Sequence, residues 1–210
     1  MENDIKVVEI ASKQPDPSAL GLFGLAMVTL VASSEKLGLS VGTIGILPCA
    51  LILGGFIQLI AGVLDYKKQN VFGGLAFMGY GMFWVTIALT WWFMFQGYEG
   101  DFTTQLGFLY LGYLIFTIYM TIGASTTNGV LFAIFVAIDV LFIALTCYGF
   151  GISPAVAKVV AGIAELLIAL LSFYGSAANV LNIHMKREIL PIGKMCSESD
   201  EKLPLAPTIQ

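Results

Sequence analysis

The chain has 210 residues, a formal net charge of −4, 58% hydrophobic but only 11% charged residues, and a mean hydropathy of +0.87. An ordinary globular domain carries about 25% charged residues, so much of this apolar surface has to face lipid. The acidic balance leaves no basic patch for nucleic acid, and Cys49, Cys147 and Cys196 have neither CxxC nor metal-ligand spacing and read as free thiols.

Residues 1–15 are polar and mixed in charge, with no apolar stretch of the kind a signal peptide needs. Six apolar segments follow, near 17–36, 43–66, 71–96, 104–125, 128–150 and 154–185. Each can cross a hydrocarbon core of ~30 Å, which takes about 20 helical residues. Their continuous apolarity, and a length beyond the ~10 residues of a barrel strand, favour helices. The connections LGLSVG, YKKQN, QGYEGDFTT, STTNG and GFGISP are short and polar. The expected fold is an all-α polytopic membrane protein: a tail over 1–15, a six-helix transmembrane domain over 16–188, and a tail over 189–210.

Six spans put both termini on one side. That side carries Lys6, Lys13, Lys67, Lys68, Lys186, Arg187, Lys194 and Lys202; the other carries only Lys36 and Lys158. Basic residues stay inside, so both termini are expected in the cytoplasm of a multi-pass plasma-membrane protein. Glycine pairs such as Gly54–Gly55 and Gly73–Gly74 suit close helix packing. Pro48, about one turn into the second segment, is a candidate kink.

Enzyme chemistry has little to stand on. No phosphate-binding loop, dinucleotide fingerprint or nucleophile–base pair is present, and no metal or cofactor is expected. The single histidine, His184, sits near a helix end and reads as interfacial. Two acids, Asp139 and Glu165, fall within the fifth and sixth segments, where acids are costly and either functional or paired. No lysine or arginine lies at their depth except Lys158, about two turns before Glu165. Two readings stay open: proton sites, or carboxyls bonded between helices. Trp84, Trp91 and Trp92 read as an aromatic belt. Tyr80, among small residues at mid-helix, needs a hydrogen-bond partner from protein, water or solute. Thr29, Ser33, Gln58, Thr86, Thr121 and Asn179 form either a thin polar path or interhelical hydrogen bonds.

Three stretches point further. DPSALGLFGLAM, from Asp16 to Met27, resembles the NPAPLGL signature that opens the first helix in the acetate uptake transporter family. DYKKQNVFGGLAFMGYGMFW, from Asp65 to Trp84, is similar to that family's E-Y-x-x-x-N-x-F-G-x-x-A-F-x-x-Y-G-x-F-W segment. NVLN at 179–182 with LPIG at 190–193 resembles its C-terminal end. The resemblance covers about residues 15–193, in order and at matching separations. It implies a six-helix bundle with a pore through each protomer, assembled as a homo-hexamer. It also implies passage of acetate and related small monocarboxylates, succinate in some members. The family's narrow ring of apolar and aromatic side chains falls on Leu25, Tyr80 and Ile138, the last by a short local match. Asp16 replaces the motif's Asn, Ala19 its second Pro, and Leu25 stands where the family often has Phe.

On this reading Asp16 caps the first helix at the inner mouth, and Gly21 and Gly24 let a backbone or a small solute approach there. Thr29, Gln58 and Asn70 are candidate polar contacts to substrate, and Asp139 and Glu165 candidate proton sites. The expected function is acetate transport through a hydrophobic constriction, with proton coupling an open addition. A passive pore for ammonia or water, and a non-transporting membrane scaffold, are the alternatives.

Overall fold

The computed structural model describes residues 16–193. The lysines at 6, 13, 194 and 202, Cys196 and most of both expected tails lie outside them. Six helices are long and apolar enough to cross a membrane: α1 (Ser18–Lys36), α2 (Ile46–Lys67), α3 (Val71–Phe95), α4 (Phe102–Ala124), α5 (Gly129–Gly149) and α6 (Pro154–His184). Each begins and ends within a turn of the expected segment. Large apolar side chains such as Ile115, Ile122, Ile163 and Leu170 remain exposed on the outer faces, as lipid contact requires.

Polar connections start the helices. Oδ1 of Asn70 accepts from Gly73 N at 3.1 Å, Asp101 Oδ1 from Thr104 N at 3.1 Å, and Asn128 Oδ1 from Leu131 N at 2.9 Å. Each bond satisfies an amide the first turn leaves unpaired. Helix α6 instead opens on Pro154, whose fixed φ suits a first turn. Helix α1 corrects an expectation. Its cap position is Pro17, not Asp16, although Asp16 Oδ1 does accept the Ser18 amide at 3.0 Å.

Helix α2 is irregular, but not through a proline kink. Pro48 lies in the first turn, where a missing amide costs little. The distortion is a π-helical stretch over Ala50–Ile57. There α2 passes between α1 and α3 at small residues. A Cβ on Gly24 would lie 2.5 Å from the Leu53 carbonyl oxygen, one on Gly54 2.6 Å from Trp84 Cγ, and one on Gly55 2.7 Å from Val85 Cγ2.

In space the helices follow the ring α3–α2–α1–α6–α5–α4. Helices α3 and α4 close it through aromatic side chains: Tyr80 packs edge-on to Phe116 at 5.3 Å and Phe83 to Tyr113 at 5.0 Å. The Tyr113 hydroxyl donates to Gly79 O at 2.9 Å. From α5, Phe142 meets Phe83 at 5.2 Å.

Residues 189–193, expected to begin a tail, fold back as a strap. Asn182 Oδ1 accepts from the amides of Ile189 (2.7 Å) and Leu190 (3.0 Å), and its Nδ2 donates to Leu190 O (2.8 Å). The Gly129 amide donates to Gly193 O (2.6 Å) and the Val130 amide to Ile192 O (3.2 Å). The NVLN and LPIG stretches are therefore two halves of one clamp. Asn182→Ala removes three hydrogen bonds and is expected to cost about 1.5–4.5 kcal/mol, since each contributes about 0.5–1.5 kcal/mol net. Thermal unfolding of the detergent-solubilised protein checks this, and an unchanged midpoint would refute it.

Candidate functional site

Two cavities enter the bundle from opposite ends and share no lining residue. The first, about 330 Å³, opens on the side of the described chain ends. Asp16 and Ser18 at the start of α1, Asn70 before α3, Asn128 before α5 and Ile192 of the strap line its mouth. The second, about 230 Å³, lies at the other end. The close of α1, α3 and α5 and the start of α4 and α6 line it.

Leu25, Tyr80 and Ile138 come together in the first cavity. Each is the last residue on its helix to line it, on α1, α3 and α5 respectively. They therefore form its inner end. Gln58 is the α2 contribution and Gly175 the deepest residue on α6. Beyond them, Val28, Thr29, Leu141, Phe142, Ile168 and Ser172 are at most 4% exposed. The second cavity resumes at Phe83 on α3, Leu145 on α5, Glu165 on α6 and Glu35 on α1. At 1.5 Å rise per residue, the closed layer is about 5 Å thick along α3 and about 15 Å along α1.

The Tyr80 hydroxyl is held by protein. It lies 2.9 Å from Thr117 Oγ1. The Thr117 proton is already given to Tyr113 O at 2.8 Å, so Tyr80 is the donor. Its hydroxyl is thus turned toward α4, and the ring serves as apolar wall. Thr117 is a partner that sequence reasoning missed.

The remaining sequence candidates divide. Asn70 lines the first cavity, with its Oδ1 occupied by the Gly73 amide. Gln58 is fully buried; Nε2 donates to Gly54 O at 2.8 Å, while Oε1 has no partner among the described residues. Thr29 lines neither cavity, because its hydroxyl returns to Leu25 O at 2.7 Å. Asp16 is exposed at the mouth, 3.7 Å from Lys68 Nζ. Gly21 and Gly24 do not line the cavity; they are packing positions, Gly21 against the Phe77 ring and Gly24 against α2. Asp139 lies outside both cavities. Its Oδ2 accepts from Thr121 Oγ1 at 2.7 Å, toward α4.

Glu165 corrects a further expectation. Its cation is Lys36 rather than Lys158: Lys36 Nζ, from the end of α1, donates to Oε1 at 2.9 Å and Oε2 at 3.0 Å. Lys158 pairs instead with Glu35, at 2.7 Å.

Comparison with known proteins agrees with this architecture. A chain solved as the bacterial acetate channel SatP superposes with a TM-score of 0.82 at 31% identity, covering 86% of this chain and all of that one. The succinate-acetate/proton symporter SatP of Escherichia coli K12 is 32% identical over 184 residues, 87% of this chain and 97% of its own. Acetate permease A of Emericella nidulans is 29% identical over 203 residues, 87% of this chain and 67% of the permease. The ammonia transport outward protein 2 of Saccharomyces cerevisiae is 29% identical over 177 residues, 80% of this chain, and the chain spans 62% of that relative's length. Six membrane-length helices, the clamp of NVLN on LPIG and a match over residues 5–195 give one conclusion: the chain belongs to the GPR1/FUN34/yaaH family.

Proposed function

We propose that the protein carries acetate and similar small monocarboxylates across a membrane through the axis joining the two cavities. The observation that supports this most directly is the inner end of the first cavity. Leu25, Tyr80 and Ile138 offer an apolar slot for a methyl group, with the unpartnered Oε1 of Gln58 also in the lining. A narrow apolar ring opposes ion leak by dewetting. A carboxylate crossing such a ring is costly unless it moves with a proton, so proton coupling belongs to the reading. Relatives named as an acetate permease and a succinate-acetate/proton symporter point the same way. Eight basic residues on one side against two on the other support both termini being cytoplasmic, and placement in the plasma membrane belongs to the same reading. Assembly as a homo-hexamer rests on the family resemblance.

The fully apolar ring also suits a small neutral solute, and a relative named for ammonia transport favours keeping that second reading. Radiolabelled acetate uptake into liposomes holding the purified protein decides. The expected result is uptake above empty liposomes that rises with an inward proton gradient, beyond passive acetic-acid leak. Uptake indifferent to the gradient would remove proton coupling. No acetate uptake, with ammonia flux retained, would move the function to the neutral solute.

A further inference from the structure

We propose that Lys36 is the carboxylate-binding residue of the second cavity, and that Glu165 is a built-in competitor which yields Lys36 to acetate when it takes up a proton. This deepens the acetate reading and rests on it for the identity of the anion.

The geometry is specific. Glu165 is the deepest α6 residue on the cavity lining, next to the closed layer, and is 2% exposed. Both its oxygens accept from Lys36 Nζ. Lys36 itself keeps 16% of its side chain accessible. It reaches this depth because Gly162, one turn from Glu165 on α6, lets the Lys36 stem lie against the helix; a Cβ there would be 2.9 Å from Lys36 Cβ. The ammonium therefore stands at the inner end of an open cavity, with its charge satisfied by a carboxylate. An acetate arriving from outside presents the same group as the one Lys36 already holds.

The surroundings do not supply a substitute. Helix α1 brings Glu35 as well as Lys36, but Glu35 is bonded to Lys158 of α6, nearer the mouth. Helix α4 brings Tyr110, and α5 brings Tyr148, both phenols and neither of them a cation. Helix α3 contributes Trp84 and Trp91, and α2 contributes Ile46. Lys36 and Glu165 are thus the charged pair at the closed layer, with the Lys158–Glu35 pair set apart at the rim.

The exchange balances. Glu165 gains one proton from solvent and becomes a neutral carboxyl. One acetate anion replaces it on Lys36. The site takes up a proton and an anion together, with no net change of charge, and acid conditions on this side favour loading. At alkaline pH Glu165 holds Lys36 and acetate is kept out.

The test reads binding independently of transport. Trp84 and Trp91 line this cavity and not the first, so sodium acetate is titrated into the purified full chain by tryptophan fluorescence on the acid and alkaline sides of neutrality. For the unaltered protein the expected result is acetate affinity about tenfold higher on the acid side, the size of one charge-assisted hydrogen bond. Glu165→Gln is expected to bind tightly at both values. The double variant Lys36→Met/Glu165→Met loses both charges together, which spares the fold an unpaired buried ion. It is expected to bind about tenfold more weakly than Glu165→Gln at both. The proposal is overturned if Glu165→Gln keeps the original pH dependence, if the double variant binds as the unaltered protein does on the acid side, or if the unaltered protein gives no acetate response. Failure of acetate uptake into liposomes would defeat the transport reading alone, and the titration would still decide for or against the Lys36 site.

Discussion

Tyr80→Ala is expected to raise flux through the bundle by about tenfold or more, equivalent to removing about 1.4 kcal/mol from the barrier, whereas Tyr80→Phe leaves it nearly unchanged. Tyr80 is the last α3 residue on the first cavity, and Phe83 opens the second only one turn further on. The closed layer is therefore thinnest along α3. Removing the ring joins its volume to the first cavity and brings water toward Phe83 and Phe142. The desolvation that holds back a carboxylate then falls. The hydroxyl plays no part in this, because it is bonded to Thr117. Its loss in Tyr80→Phe costs about 1 kcal/mol of stability, while the alanine costs about 3–5 kcal/mol through the void it leaves. Proteoliposome uptake, measured on protein that elutes as an intact species, separates the two variants. Equal impairment of both would show that the hydroxyl contacts the solute. An unaltered rate in Tyr80→Ala would place the constriction elsewhere.

The helices were legible because lipid imposes one demand on every residue of a span, and apolarity records it directly. The positions of Leu25, Tyr80 and Ile138 were legible through motif matches, and they occupy the same cavity end on three separate helices. What escaped was pairing at long range. Lys36 and Glu165 are 129 residues apart, and their meeting depends on how far α1 and α6 slide past one another, which hydropathy does not encode. Counting Lys36 only among the charges of the far side left Lys158 as the one cation near Glu165, and Lys158 pairs with Glu35. Thr117 stood outside the polar groups weighed as path or interhelical residues, and its hydroxyl bonds to the preceding turn of its own helix. Its oxygen nevertheless accepts from Tyr80, a contact that only the packing of α3 on α4 creates. Thr29 shows the converse: a mid-span hydroxyl read as a path residue spends itself on Leu25 O. Asp65 was quoted within the middle motif and given no role, yet it is fully buried beside the start of α3, where Gly73 makes room for its carboxylate. The π-helical stretch had no sequence signature beyond Gly54 and Gly55, and a proline nearby drew attention to the wrong turn.

The second large effect expected is on folding. Gly24→Leu should prevent accumulation of intact protein, and Gly24→Ala should sharply lower its thermal midpoint. A Cβ at Gly24 meets the Leu53 carbonyl at 2.5 Å and Ile57 Cγ2 at 3.0 Å. A side-chain tip can rotate away, but a carbonyl inside a helix moves only with its backbone. Here that backbone is the π-helical stretch, whose Gly54 and Gly55 are pressed against Trp84 and Val85 on the far side. Helix α2 is held between α1 and α3 without slack, so overpacking costs at least the ~1–3 kcal/mol usual for a well-packed core. Gly21 makes a useful contrast. Its added Cβ meets the Phe77 ring, a side chain that lines the first cavity and has open space to swing into. Gly21→Ala should therefore fold and instead narrow that cavity, lowering uptake with little change in midpoint. If Gly24→Ala melts where the unaltered protein does, α2 is free to shift and the tight three-helix contact is refuted.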